Sequence, residues 1–274
     1  MAHIVVVAHE HDLFASRPFM VKGLFPFWER AGHVVHVRHG VADLPEADVA
    51  FFHADATRVP PSYREALARY PVVVNGRTGD ISKRVVSRNL VRPGDDYRGP
   101  VIVKTDMNSG GLPELLHNRE ARRKGETDEP AGRFMTGRYP IFASLRHVPA
   151  ALAADPALVL EKFLPERDPR GFVTRCWIFL GAVERCNRMV GKEPVVKGAD
   201  VIERVPCEVP DAIRARREEL GFDYGKFDFV IHDGEPVLLD VNRTPTTVAT
   251  LSAAIEAGMA TLAKGMEGFT DRRA

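Results

Sequence analysis

Four short runs of β-branched and aromatic residues open the chain: Ile4–Val7, Val34–Val37, Val49–Phe52 and Val72–Val74. Helix-sized or loop-sized intervals separate them, and Pro18–Arg30 and Pro61–Tyr70 read as helices. This rhythm predicts an α/β unit with a mainly parallel sheet that ends near residue 79. Asp80–Leu90 then reads as a basic helix with Asp80 as its N-cap. A strand over Val101–Lys104 runs into Thr105-Asp106-Met107-Asn108-Ser109-Gly110-Gly111. Pro113–Pro130 begins as a helix and decays into a charged tract with Gly and Pro, so a mobile loop is expected from about Lys124 to Gly132.

The second half alternates with a period of two. Leu158–Phe163 is a strand stopped by Leu164-Pro165. Phe172–Leu180 and Val183–Val190 flank Gly181-Ala182, which predicts a hairpin. Asp211–Leu220 is an amphipathic helix with Gly221 at its C-terminal cap. Lys226–Thr247 reads as two strands around Asp233-Gly234, a strong hairpin signal. Side chains alternate faces along a strand. Phe227, Phe229 and Ile231 therefore share one face and Lys226 and Asp228 the other, while Asp240 and Asn242 stand opposite Val241. A two-residue loop would set Asp228 against Leu239. A three-residue loop that takes in Glu235 sets Asp228 against Asp240, and this register is expected, with Gly234 supplying the left-handed residue. Beyond it Val248, Leu251, Ile255, Met259 and Leu262 form one apolar helical stripe.

Composition then narrows the class. With 274 residues, 45% hydrophobic and 27% charged, the chain can bury a large core divided over two or three subdomains. A formal net charge of +1 gives no global field for nucleic acid, and no apolar run reaches transmembrane length. The start, MAHIVVVAHEHD, lacks a basic region before its apolar run and reads as a first strand. Cys176, Cys186 and Cys207 show no CxxC spacing, which fits a reduced, cytoplasmic setting.

Candidate chemistry collects at four places. Lys226, Asp228, Asp240 and Asn242 form an oxygen-rich patch, and two facing carboxylates repel unless a cation joins them, which suits Mg²⁺ carrying a phosphate. Lys104 entering a Ser-Gly-Gly loop offers a cation and free N–H groups to phosphate. A two-residue loop at Gly181-Ala182 puts Arg175 opposite Arg188, and an anion between them would relieve the repulsion. His9, Glu10, His11 and Asp12 follow the first strand, where open parallel sheets place their crevices, and read as a substrate-lining loop. His33, His36 and His39 do not match metal spacing and read as structural.

The order of these pieces is more specific than any one of them. Basic helix, strand–Lys–Gly-rich loop, Glu161-Lys162-Phe163-Leu164, arginine-bearing hairpin, Gly225-Lys226-Phe227-Asp228 and Leu238-Leu239-Asp240-Val241-Asn242-Arg243-Thr244-Pro245 together resemble the ATP-grasp superfamily. D-alanine–D-alanine ligase, glutathione synthetase and the ribosomal-protein glutamate ligases belong to it. The resemblance implies an α/β fold, α+β in its C-terminal half. Its parts would be an N-terminal parallel-sheet domain (1–79), a small central subdomain (80–160) and a C-terminal antiparallel-sheet subdomain (161–274) carrying the metal site. It implies ATP and Mg²⁺ (or Mn²⁺), with Asp228, Asp240 and Asn242 as metal ligands. Lys83 and Lys104 would contact the phosphates, and residues 105–111, with Ser109, Gly110 and Gly111, would be the flap. Glu161, Lys162, Phe163 and Leu164 would be the adenine hinge, Lys162 and Leu164 offering backbone groups. Asp168 would hold the ribose, with Glu166 behind it. Arg175, Arg188 and Lys226 would face the transferred phosphate.

Two departures stand out: the flap lacks the family's fuller glycine pattern, and Asp240 stands where many members have glutamate. The implied activity joins a carboxylate, activated as an acyl phosphate, to an amine with release of ADP. The implied partners are a small-molecule acid and amine, or a peptide terminus, and a homodimer is compatible with the family. Phosphoryl transfer to a hydroxyl and nucleotide binding without catalysis are the alternatives. Arg243–Thr247 and the rims at 9–12 and 53–58 would border the acceptor.

Overall fold

The computed structural model describes residues 1–126, 134–135, 139–196, 198–247 and 252–271, and in it three sheets follow one another along the chain. The first is parallel. Its strands β1 (His3–Ala8), β2 (Val34–His39), β3 (Val49–Phe52) and β4 (Val72–Val74) lie in the order β2-β1-β3-β4, with α1 (Phe25–Arg30) and α2 (Pro61–Leu67) in the connections. Residues 4–8 are buried on both faces, hence the unbroken apolar run. The helix expected over 18–30 is divided: a 3₁₀ turn, Met20–Gly23, precedes α1, whose first turn holds Pro26. Proline has no N–H to continue a helix from an earlier turn.

The second sheet belongs to the middle of the chain. It follows α3 (Lys83–Val86) and comprises β5 (Leu90–Val91), β6 (Val101–Thr105), β7 (Ile141–Phe142) and β8 (Leu158–Lys162), in antiparallel pairs ordered β5-β8-β6-β7. Between these strands lie α4 (Leu112–Arg123) and α5 (Ala150–Ala153). The helix expected over 80–90 shrinks to the four residues of α3. Asp80 Oδ1 accepts from Ser82 N–H at 2.8 Å and Ser87 Oγ from Asn89 N–H at 3.1 Å. Such local side-chain bonds compete with the helix at both ends. The tract expected to be mobile begins at Lys124–Glu126, and its remainder falls outside the described residues.

The third sheet is antiparallel and six-stranded. Strands β9 (Glu166–Asp168), β10 (Gly171–Leu180), β11 (Val183–Gly191), β12 (Val201–Pro206), β13 (Tyr224–His232) and β14 (Glu235–Asn242) run β12-β11-β10-β13-β14, with β9 on β10. Helix α6 (Asp211–Leu220) covers its back and ends at Gly221 with φ 71°, as the sequence predicts. Helices α7 (Ala253–Ala263) and α8 (Glu267–Thr270) close the chain. Of the expected stripe, Ile255, Met259 and Leu262 lie in α7 and pack into the core. Val248 and Leu251 fall outside the described residues.

The decisive hairpin reaches its expected register by another route. His232 pairs with Glu235, so the loop is only Asp233-Gly234, with φ 50° and 86°. Positive φ at both central residues is the tight turn whose twist matches the strands. Phe229 then pairs with Leu238 but Asp228 with Asp240, so Leu239 is an extra residue in β14. This β-bulge restores the one-residue shift that the short loop removes. Three-residue looping is thereby corrected, while Asp228 still faces Asp240.

The first and third sheets pack through one apolar cluster that joins Ile4, Val6 and Phe51 to Ile178, Leu180 and Met259. Two buried polar side chains lock the same junction. Asn75 donates to Tyr224 O at 2.9 Å and its Oδ1 accepts from the N–H groups of Asp223 and Tyr224 at 2.9 Å each. Arg243, just past β14, is fully buried and donates to the carbonyls of Ala54, Ala56 and Thr78.

Candidate active site

A cleft of about 890 Å³, counted with its solvent-open mouth, runs between the second and third sheets. Ile102 and Lys104 of β6 and the segment Glu161–Glu166 form one wall. Phe172–Thr174, Asp228, Val230, Leu239 and Asp240 form the other, and Lys83, Asn89, Tyr139 and Pro194–Val196 close the sides. The bulge explains why neighbours Leu239 and Asp240 both reach this space.

Three lysine–carboxylate pairs line or border the cleft. Lys83, 4% exposed, pairs with Asp240. Lys104 lies 2.5 Å from Glu161, and Lys226 lies 2.7 Å from Asp228. Burial alone would pull the Lys83 ammonium down, but the Asp240 carboxylate against it leaves it above the usual lysine range. Burial likewise opposes ionisation of Asp240, and Lys83 holds that carboxyl below its ordinary value. Lys226 is raised in the same way, against burial, chiefly by Asp228. The repulsion expected between facing Asp228 and Asp240 is thus met by two lysines. Glu161 is 3% exposed, and its second oxygen has no hydrogen-bond partner. Buried polar atoms without partners are uncommon and point to a missing ligand or water.

The donor set fits a hard divalent cation. Asp228 and Asp240 offer carboxylate oxygens from adjacent strands, and Mg²⁺ is commonly held by one or two carboxylates plus phosphate oxygens. Asn242 contributes less here, because its Oδ1 accepts from Thr244 N–H at 2.8 Å and Thr244 Oγ1 at 3.3 Å. Among the described residues no group of three His, Cys, Asp or Glu side chains could hold a metal.

Several expected site residues lie elsewhere. Arg175 does pair with Arg188, across a two-residue Gly181-Ala182 turn. But Cys176, not Arg175, pairs with Asp228, so both arginines point to the back of the sheet. Their mutual repulsion is relieved by protein acids: Arg175 by Glu166, and Arg188 by Asp168 at 2.8 Å and Glu203 at 3.3 Å. Asp168 sits in that cluster, where Arg188 and then the Arg170 backbone and side chain hold its carboxyl down to about 2. Glu166 also borders the cleft, but its carboxylate is taken by Arg175 and by Ile231 N–H at 2.6 Å.

The loop at 105–111 is not part of the cleft wall either. Ser109, Gly110 and Gly111 take φ of 49°, 69° and 82°, and the loop turns toward the first sheet. Asn108 N–H donates to Thr57 Oγ1 at 2.8 Å, and Asp106 lies 2.5 Å from Arg58. Lys162 and Phe163 line the cleft, yet their N–H groups bond to Asn89 O and Pro100 O at 2.8 Å each.

A second polar site lies at the C-terminal ends of β1 and β3, where the strand order reverses and parallel sheets bind ligands. His9, His11 and Asp12 follow β1, His53 and Asp55 follow β3, and α4 adds Glu114 and His117. Both His53 ring nitrogens, Asp12 Oδ2, His11 Nδ1, Glu114 Oε2 and both amide atoms of Asn108 are buried without partners. Burial lowers His9 to about 4, with the neighbouring His11 adding to it, and lowers His53 to about 3. Burial and then the charge of Asp55 raise Asp12 to about 7. Asp55 pairs with Arg17 and accepts from Thr244 Oγ1, so this pocket adjoins the end of β14. Sequence reading found the 9–12 and 53–58 rims but not Arg17, Glu114 or His117. Only tertiary packing brings α4 to β1, stacking His117 on His9 at 4.0 Å between ring centres.

No protein-family model matches the chain, and no curated protein matches it by sequence. Solved structures do match in shape. One is a RimK-domain ATP-grasp protein from Sphaerobacter thermophilus, 12% identical over 98% of this chain and 99% of that one, with a TM-score of 0.54. Another is D-alanine–D-alanine ligase from Bacillus anthracis, 14% identical over 99% and 98%, with a TM-score of 0.52. That ligase complexed with ATP gives a TM-score of 0.51 at 15% identity. A third is the ATP-grasp ligase PsnB complexed with a minimal precursor, Mg and ADP, 14% identical over 97% of both chains, with a TM-score of 0.52. At such identities the likeness is one of fold.

Proposed function

Starting from the ATP-grasp fold of this chain, we propose that it is an ATP-dependent ligase that activates a carboxylate as an acyl phosphate and joins it to an amine, releasing ADP and phosphate. The observation that carries this reading is the set of three lysine–carboxylate pairs around one cleft between two antiparallel sheets. Such pairs are pre-charged to exchange partners: phosphate oxygens take the lysines, and the freed carboxylates take a cation. The solved likenesses with ATP and with Mg and ADP support a nucleotide in this place.

In this reading Glu161–Leu164 and Leu239 flank the base. Lys83 and Lys104 bind phosphate oxygens. Asp228 and Asp240 would hold Mg²⁺, and the ion would supply positive charge to offset that of the transferred phosphoryl group. The substrate carboxylate attacks the γ-phosphorus and ADP leaves. Lys226, on the same face, steadies the oxyanion as the amine attacks the acyl carbon and phosphate departs. The amine lies in the pocket of residues 9–12 and 53–58, where Asp12 is suited to take its proton at neutral pH.

ADP release measured across acids, with and without amines, tests the proposal. Release that needs both classes supports it. Phosphate appearing on a polyol, or ATP binding without turnover throughout the panel, overturns it.

A further inference from the structure

The back of the third sheet holds two thiols for which the ligase reading has no use. Cys186 lies in β11 and Cys207 directly follows β12. The ladder pairs Asn187 with Pro206, so the next residues outward, Cys186 and Cys207, stand opposite one another. Cys207 N–H donates to Cys186 O at 3.1 Å, and the two Sγ atoms are 3.4 Å apart. Opposed residues of an antiparallel ladder have Cα atoms about 4.5–5.5 Å apart. That lies inside the range of roughly 4.4–6.8 Å that a disulfide bridges. The third thiol, Cys176, pairs with Asn187 in the ladder and so faces the other side of the sheet.

We propose that Cys186 and Cys207 form a reversible dithiol–disulfide site, oxidised by a low-molecular-weight disulfide. Cys207 is the more open of the two, and it lines a surface groove with Glu208 and Arg214. Its thiolate attacks one sulfur of the reagent, forming a mixed disulfide and expelling one small thiolate. The Cys186 thiolate then attacks Cys207 Sγ, forming the internal bond and expelling the second. Two protein thiols are oxidised, one reagent disulfide is reduced to two thiols, and the two protons lost pass through solvent to the leaving groups. Burial first, and then the Cys207 neighbour, hold the Cys186 thiol above its ordinary value, so exchange is slow at neutral pH and speeds up in alkali. The bond would clip the base of the β11–β12 hairpin, whose tip brings Pro194, Val195 and Val196 to the cleft.

The test needs no substrate and stands apart from the ligase reading. The full chain is incubated with oxidised glutathione at mildly alkaline pH, alkylated, and examined by intact mass and peptide mapping. The expected product has lost two hydrogen atoms, joins the Cys186 and Cys207 peptides, carries one alkylated thiol at Cys176, melts several degrees higher and reverts with dithiothreitol. Cys176→Ser should still form the bond, whereas Cys186→Ser and Cys207→Ser should not. Three alkylated thiols, or a wild-type protein that stops at the glutathione adduct, would overturn the proposal.

Discussion

At the cleft between the second and third sheets Asp228, Asp240 and Glu161 each have a lysine against them, whereas at the ends of β1 and β3 both nitrogens of His53 and an oxygen of Asp12 have no partner. The first region is charge-matched without a ligand, the partnerless second oxygen of Glu161 apart, and binding there means exchange. The second is incomplete, and binding there means completion. Substitutions should therefore act with opposite signs on stability in the two places, although both should impair turnover.

The strongest test breaks one matched pair. Lys104→Met leaves Glu161 buried and alone, which should lower stability by about 3 kcal/mol and turnover by about 10³-fold. Adding Glu161→Gln should restore the unfolding midpoint but not ADP release. If the double variant turned over normally, Lys104 would have no place in the chemistry.

Next comes the unmatched pocket. His53→Phe places an apolar ring among Phe14 and Phe19, whose centres lie 5.5 and 4.9 Å from the imidazole. Removing two orphaned nitrogens should raise stability by about 1–2 kcal/mol while weakening amine binding. A loss of stability on denaturant unfolding would show that the nitrogens are paired after all.

Asp12 gives a finer reading of the same contrast. With its carboxyl raised to about 7, the folded protein keeps a proton that the unfolded chain releases at lower pH. Wild-type stability therefore falls through this group as pH rises from about 4 to about 7, and Asp12→Asn escapes that loss. The variant should gain on wild type by at most ~1.4 kcal/mol per pH unit in that window, and no further above it. His9 and His53 are lowered, so they act in the opposite direction, but they are common to both proteins and cancel in the difference. A constant difference from pH 4 to 8 would sink the assignment.

The smallest effect belongs to the back of the sheet. Arg188→Gln should cost about 1 kcal/mol and leave turnover within about twofold, because its partners Asp168 and Glu203 are also on that side. A collapse of turnover would return Arg188 to the chemistry.

What the sequence made legible follows these contrasts. Period-two alternation and turn residues located the sheets, the Gly181-Ala182 hairpin and the meeting of Asp228 with Asp240. Alternation within β10 did not tell which face Arg175 would take, since that depends on how β10 is laid against β13, a pairing some fifty residues distant (Cys176 to Asp228). The Asp80–Leu90 helix failed for a local reason, as Asp80 and Ser87 spend their side chains on nearby N–H groups. Asp168 and Glu166 are two residues apart on one strand. Both are claimed by arginines, Glu166 by Arg175 and Asp168 by Arg188 and Arg170, and composition does not reveal which acid meets which arginine.

The spare residue in β14 separates two lengths that would otherwise be tied together. The tip of that hairpin can gain or lose one position, and Leu239 marks where the difference is absorbed before the acids are reached. Relatives of this chain should therefore show compensating single-residue gaps, one at the tip and one at the kink, and alignments that forbid such gaps will misplace Asp240 by one.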